Sequence, residues 1–174
     1  MTMRPVLLSS CAKATTATEA RFRIDVPIEG RRGARVVALD DDAATIVRRL
    51  ALQQWNGARF FTLVAGAGSD RHGAGEDPDE MPLHRTNGTD TRLADELMAA
   101  DVAVMLATAG GGAAVAASAI GRACARRGIM TAGLVLGDRH EVGDVVAALR
   151  PYAQVLLVTA DEQDVHEVLT ALRA

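Results

Sequence analysis

A chain of 174 residues and 18.3 kDa has the length of one domain, enough to bury about two-thirds of the surface its unfolded form exposes. Its 19 basic and 22 acidic residues leave a formal charge of −3, so neither nucleic acid nor an anionic membrane is expected as a partner. Lys13 is the only lysine and the other cations are arginines, which excludes a Walker A loop with its Gly-Lys-Ser/Thr triplet. Lys13 itself lies in a polar stretch, a poor setting for a Schiff-base lysine.

Residues 1–33 read as a mixed N-terminal extension, with short apolar stretches at 4–9 and 20–26. From residue 35 the pattern becomes regular. Runs rich in Val and Leu recur at 35–39, 59–64, 102–107, 129–136 and 154–159, and they predict buried parallel strands. Helical patterns fall at 43–54, 91–99, 113–127, 142–149 and 164–173. Alternation of this kind predicts a single α/β domain, a three-layer αβα sandwich on a mostly parallel, Rossmann-like sheet of five to six strands. Ligands of such folds bind beyond the carboxyl ends of the strands. Residues 66–90 interrupt the pattern with glycines, two prolines and many charges, and are expected to be a long loop, either a mobile cover or disordered.

Two cysteines without a CxxC spacing, Cys11 and Cys124, cannot frame a zinc site, and Cys124 in its alanine-rich segment reads as a small core residue. No apolar run approaches the ~20 residues of a membrane span. The first residues lack the charged start and apolar stretch of a secretory signal, so a cytoplasmic location is expected.

The clearest chemical feature is Thr108-Ala109-Gly110-Gly111-Gly112-Ala113, placed between a predicted strand and a predicted helix. Glycines allow backbone N–H groups to approach a ligand closely, and a helix N-terminus adds free donors and about half a unit of positive charge. The combination predicts a phosphate site at Thr108, Gly110, Gly111, Gly112 and Ala113. The alternative is that the glycines serve only close packing of helix on sheet.

The stretch from Ala100-Asp101 through the apolar strand to Gly110-Gly111-Gly112 resembles the strand and glycine-rich signature loop of the FtsZ/tubulin family. Gly128-Ile129-Met130-Thr131, after the next helix, keeps the family's order of glycine, threonine and strand. Residues 35–50 are similar to its first strand and helix, and residues 145–161 to the helix, strand and base-contacting turn that end its nucleotide domain. The resemblance spans residues 34 to 165. It implies GTP or GDP, or another phosphate ligand, with Mg²⁺, and a contact of Asp161 with the guanine base. Asp161 also suits the N-cap of the last helix. The family hydrolyses GTP with acidic residues from a second domain of the neighbouring subunit in a filament. The resemblance here covers the nucleotide domain alone and therefore implies no efficient hydrolysis.

Two departures bear on that reading. The family's first phosphate loop is a glycine run, and the same position here reads Asp40-Asp41-Asp42. Three carboxylates repel a phosphate unless a metal such as Mg²⁺ intervenes, or else one of them caps the following helix in a solvated turn. After the glycines, the family's hydroxyl-bearing continuation is replaced by Ala113-Ala114-Val115-Ala116. A module that binds a small ligand or a protein partner is the first expectation. An enzyme or sensor that binds phosphorylated metabolites such as sugar phosphates, using Thr108 and Ser118 hydroxyls, is the second. A self-assembling homo-oligomer is the third. His72 and His84 are too far apart for a compact metal motif. Trp55 is expected to be an apolar anchor.

Overall fold

The computed structural model describes residues 33–64, 77–109 and 113–172, all within one unit, Arg31–Ala174. The elements run β1 (Ala34–Ala38), α1 (Asp41–Leu50), β2 (Arg59–Leu63), a 3-10 turn (Pro78–Glu80), β3 (Pro82–Arg85) and β4 (Asp90–Arg92). They continue with α2 (Leu93–Leu97), β5 (Val102–Thr108), α3 (Ala113–Arg127), β6 (Met130–Leu136), α4 (Gly143–Leu149), β7 (Val155–Thr159) and α5 (Glu162–Ala171). The strands form one sheet in the order β4-β3-β2-β1-β5-β6-β7. The five strands β2, β1, β5, β6 and β7 are parallel, and β3 and β4 add an antiparallel hairpin beside β2.

Every residue of the central strands β1 and β5 is buried, because each has a strand on both sides and helices on both faces. Val37, Phe61 and Met105 pack on one face against Leu93 and Leu97 of α2, Ile120 and Cys124 of α3, and Leu149 of α4. Val36, Val104 and Leu134 pack on the other against Ile46, Val47 and Leu50 of α1 and Val165 and Leu169 of α5. Each such side chain contributes about 1.5–3 kcal/mol by leaving water. The expected three-layer αβα sandwich is therefore present, with seven strands instead of five to six.

Of the two additional strands, β3 comes from the segment expected to be a loop, and β4 takes the last residue of that segment and the first two of the predicted helix 91–99, which begins only at Leu93. Residues 82–92 form the hairpin, closed by Thr86-Asn87-Gly88, where Arg85 N–H donates to the Thr89 carbonyl at 2.8 Å. Gly88 has φ +97°, the left-handed conformation that such a turn requires and that glycine adopts without strain. Asp77 caps the 3-10 turn, and Asp79 of that turn is tied to Arg127 at the end of α3 at 2.8 Å. Residues 1–32, with Cys11 and both early apolar stretches, and residues 65–76, with His72, lie outside the described residues.

Helix ends follow local chemistry. Gly128, at φ +65°, turns the chain after α3 so that the Ile129 N–H reaches the Cys124 carbonyl at 3.0 Å. Trp55 is half-buried, as its anchoring role requires. Its Nε1 donates to the Leu50 carbonyl at 2.7 Å, and its ring lies 5.6 Å from Phe60 and 5.3 Å from His166. Among the described residues no helix is long and apolar enough to cross a membrane.

Candidate functional site

In a doubly wound sheet a crevice opens where successive connections leave two adjacent strands in opposite directions. Here those strands are β1 and β5: α1 leads from β1 out to β2, and α3 leads from β5 out to β6. Their carboxyl ends bring Asp40 and Thr108 together across 68 positions of sequence. Asp40 Oδ2 accepts from the Thr108 backbone N–H at 2.7 Å, and Oδ1 accepts from the Thr108 hydroxyl at 2.8 Å. Oδ1 also accepts from the Ala43 N–H at 2.8 Å, which makes Asp40 the N-cap of α1.

Of the two expectations for Asp40, Asp41 and Asp42, a metal site or a helix-capping turn, this geometry shows the cap. Both oxygens of Asp40 are committed to N–H and O–H donors, and Asp41 and Asp42 are exposed residues in the first turn of α1. Among the described residues no group of three or more His, Cys, Asp or Glu side chains gathers as a metal site would. The acidic run instead supplies α1 with its own anion, where the positive end of the helix favours negative charge.

Asp161 plays the same part at α5, accepting from the Gln163 N–H at 2.8 Å as N-cap. It lies beyond the end of β7, two strands out from β5, or roughly 10 Å at the usual strand spacing. Its carboxylate is engaged in capping, and the base-contact role implied by the family resemblance has no further geometric support.

The remaining expected ligand residues divide. Thr108 is buried with its hydroxyl given to Asp40, so it ties the crevice together. Gly110, Gly111 and Gly112 lie outside the described residues. Ala113 heads α3 and is buried. Ser118 lies in the second turn of α3, too far along the helix to serve its open N–H groups. The first turn of α3 contains no acidic residue, whereas α1, α2, α4 and α5 each contain at least one.

Elsewhere, His84 belongs to β3 and pairs with Asp90 across the hairpin at 2.6 Å. Cys124 is fully buried in α3, and burial pushes its thiol up to about 12, despite the opposing charge of Arg127. It is a core residue, as its setting predicted. A shallow groove of about 560 Å³ runs between the second half of α1 and the hairpin turn, lined by Thr45, Arg48, Arg49, Leu52, Thr86 and Asn87. Arg49 is paired there with Glu162 at 2.5 Å.

One constellation has no counterpart in the sequence reading. Arg35 in β1 and Glu96 in α2 are 2 % and 3 % exposed and face each other at 3.3 Å. Arg59 and Arg85 bond the same carboxylate at 3.2 and 2.5 Å. Burial acts to raise the Glu96 pKa, but the hydrogen bonds and charges of Arg85 and Arg59 outweigh it and hold the carboxyl below its ordinary value. Burial, reinforced by the Arg59 charge, lowers the pKa of Arg35 against the attraction of Glu96. A lone arginine at the start of an apolar run carries no signal that it will be buried.

No protein-family model matches the chain, and no curated protein matches it in sequence.

Proposed function

We propose that this chain is a binding module for a phosphorylated small ligand, held at the β1–β5 crevice by the glycines 110–112 and the head of α3. The observation that carries this reading is the absence of acid from the first turn of α3, in a protein whose other four described helices each carry their own. A helix start with free N–H groups and no internal anion favours an external one. The order of strand, glycine run, helix and strand is also the reason to relate the chain to the FtsZ/tubulin nucleotide domain, without efficient GTP hydrolysis.

Asp40 bears on the ligand's charge. Its carboxylate sits against Thr108, at the entrance to the glycine run, and like charges about 4 Å apart at a protein surface oppose each other by about 4 kcal/mol. That repulsion grows with each phosphate and favours a monophosphorylated metabolite over a nucleoside triphosphate. A thermal-shift series with GTP, GDP, GMP and sugar monophosphates, each with and without Mg²⁺, tests both readings. A true ligand at 100 times its Kd adds about 2.7 kcal/mol of stability. Stabilisation by guanine nucleotides alone supports the nucleotide-domain reading, and stabilisation by monophosphates regardless of base supports the metabolite reading. No stabilisation by any of them overturns the proposal, and rapid GTP turnover overturns the claim of lost hydrolysis.

A further inference from the structure

The buried carboxylate of Glu96 is outnumbered. Arg35 and Arg59 are register partners on adjacent parallel strands, so their side chains leave the same face of the sheet side by side. Arg85 joins them from the end of β3, with its guanidinium 6.0 Å from the centre of the Phe61 ring. Glu96 receives all three, and the Thr91 hydroxyl at 3.3 Å as well. Among the described residues, three guanidinium charges thus meet the Glu96 carboxylate at the end of the sheet opposite Thr108.

The three arginines are not equivalent. Arg35 is buried and also donates to the carbonyls of Ala34 and Ala99. Arg59 and Arg85 are 49 % and 30 % exposed, and each is hydrogen-bonded to Glu96. A guanidinium has five N–H donors, so most of theirs are not used by that bond. The Arg85 Nε is buried and meets no acceptor among the described residues, an arrangement that is costly for a charged donor. Glu96 therefore acts as a buried post that holds two partly exposed guanidiniums close together, with positive charge in excess and donors to spare.

We propose that Arg59 and Arg85 form an oxyanion site that takes a phosphate group, either free or as a monoester. Two guanidinium forks around one tetrahedral oxyanion give the charge-assisted, multidentate contact for which arginine is suited. This site lies at the amino ends of the parallel strands and is independent of the one at the head of α3.

The experiment is isothermal titration of the full chain with inorganic phosphate and, separately, glycerol 3-phosphate. It is run in the Ala114→Asp variant, whose added carboxylate suppresses the α3 site, so failure of one site is not mistaken for failure of the other. Binding is expected at up to about 10 mM ligand, weakened about tenfold or more by Arg59→Gln and by Arg85→Gln. Arg48→Gln, on the exposed face of α1, is expected to leave it unchanged. In Arg59→Gln the Glu96 carboxylate keeps Arg35 and Arg85, so its Trp55-monitored melting curve is expected to show a folded chain. Equal affinity for both ligands assigns the site to the phosphate group itself, and tighter binding of the monoester assigns it to an esterified ligand. Absence of binding overturns the proposal. So does a loss in Arg48→Gln equal to that in Arg59→Gln, because that is the behaviour of net charge alone.

Discussion

Asp40 holds Thr108 by two hydrogen bonds, 2.7 Å from the backbone N–H and 2.8 Å from the hydroxyl, and so joins the carboxyl ends of β1 and β5. The same carboxylate caps α1. Asp40→Ala removes a cap worth about 1 kcal/mol and the two hydrogen bonds from Thr108 to the Asp40 carboxylate, at about 1–3 kcal/mol more. A loss of about 2–4 kcal/mol is expected in urea unfolding followed by Trp55 fluorescence. Asp40→Asn keeps the shape and removes the charge, so it should destabilise less and bind phosphate ligands more tightly. Weaker phosphate binding in Asp40→Asn would count against an anion at this crevice.

The parallel core was legible because its strands are apolar on both faces. The predicted strand 102–107 and helix 113–127 match β5 and α3 within one residue. The hairpin at 82–92 was not legible by hydrophobicity, since Asp90 and Arg92 stand on the edge strand β4, where charge is tolerated and even protective, and His84 and Arg85 on the neighbouring β3 are paired with Asp90 and Glu96. Its sign was the Asn87-Gly88 turn. The run Asp40-Asp41-Asp42 was recognised as holding a cap, but the second partner of Asp40 lies 68 positions away, beyond the reach of any local pattern. The Arg35–Glu96 pair was hidden for the opposite reason. Charge reads as surface by default, and only tertiary packing shows that these two charges bury each other.

Glu96 makes stability depend on acid. Its native carboxyl titrates below the ordinary value of 4.5, so the unfolded chain binds the proton more tightly than the native one. The stabilisation is complete above the ordinary glutamate range and is lost as pH falls through the lower native value. Urea midpoints are expected to drop between about pH 5 and pH 3. Glu96→Gln should remove the Glu96 share of that slope and cost about 3–5 kcal/mol at neutral pH, because it breaks the buried ion pair of Glu96 with Arg35. An unchanged slope in Glu96→Gln would assign the acid sensitivity to other carboxylates, with Asp79, lowered chiefly by its hydrogen bond from Arg127, as the next candidate.

Gly121 sits inside α3, where alanine would ordinarily stabilise a helix by about 0.5–1 kcal/mol. Here an added Cβ would run into the Tyr152 Cβ and lie 2.7 Å from its ring atom Cδ1. Gly121→Ala is therefore expected to destabilise, by about 1–3 kcal/mol, as an overpacked core contact does. Tyr152→Gly, which removes the Cβ as well as the ring, should relieve the clash, so the double variant loses less than the sum of the two single ones. Additive losses would mean that α3 and the Tyr152 turn shift apart without strain.

Ala114 gives the sharpest separation of stability from binding. It is an exposed residue in the first turn of α3, the helix that lacks an acid there. Ala114→Asp places a carboxylate against the positive end of the helix, which should stabilise the protein by about 0.3–1 kcal/mol. The same carboxylate occupies the electrostatic place of the proposed ligand phosphate. Phosphate-ligand binding at the crevice should fall by tenfold or more, about 1.4 kcal/mol, in the same variant whose melting temperature rises. Opposite signs in the two measurements are the mark of an anion site at a helix start. If Ala114→Asp rises in stability and keeps full ligand affinity, the head of α3 is a packing feature and the ligand, if bound at the crevice, is held by other groups.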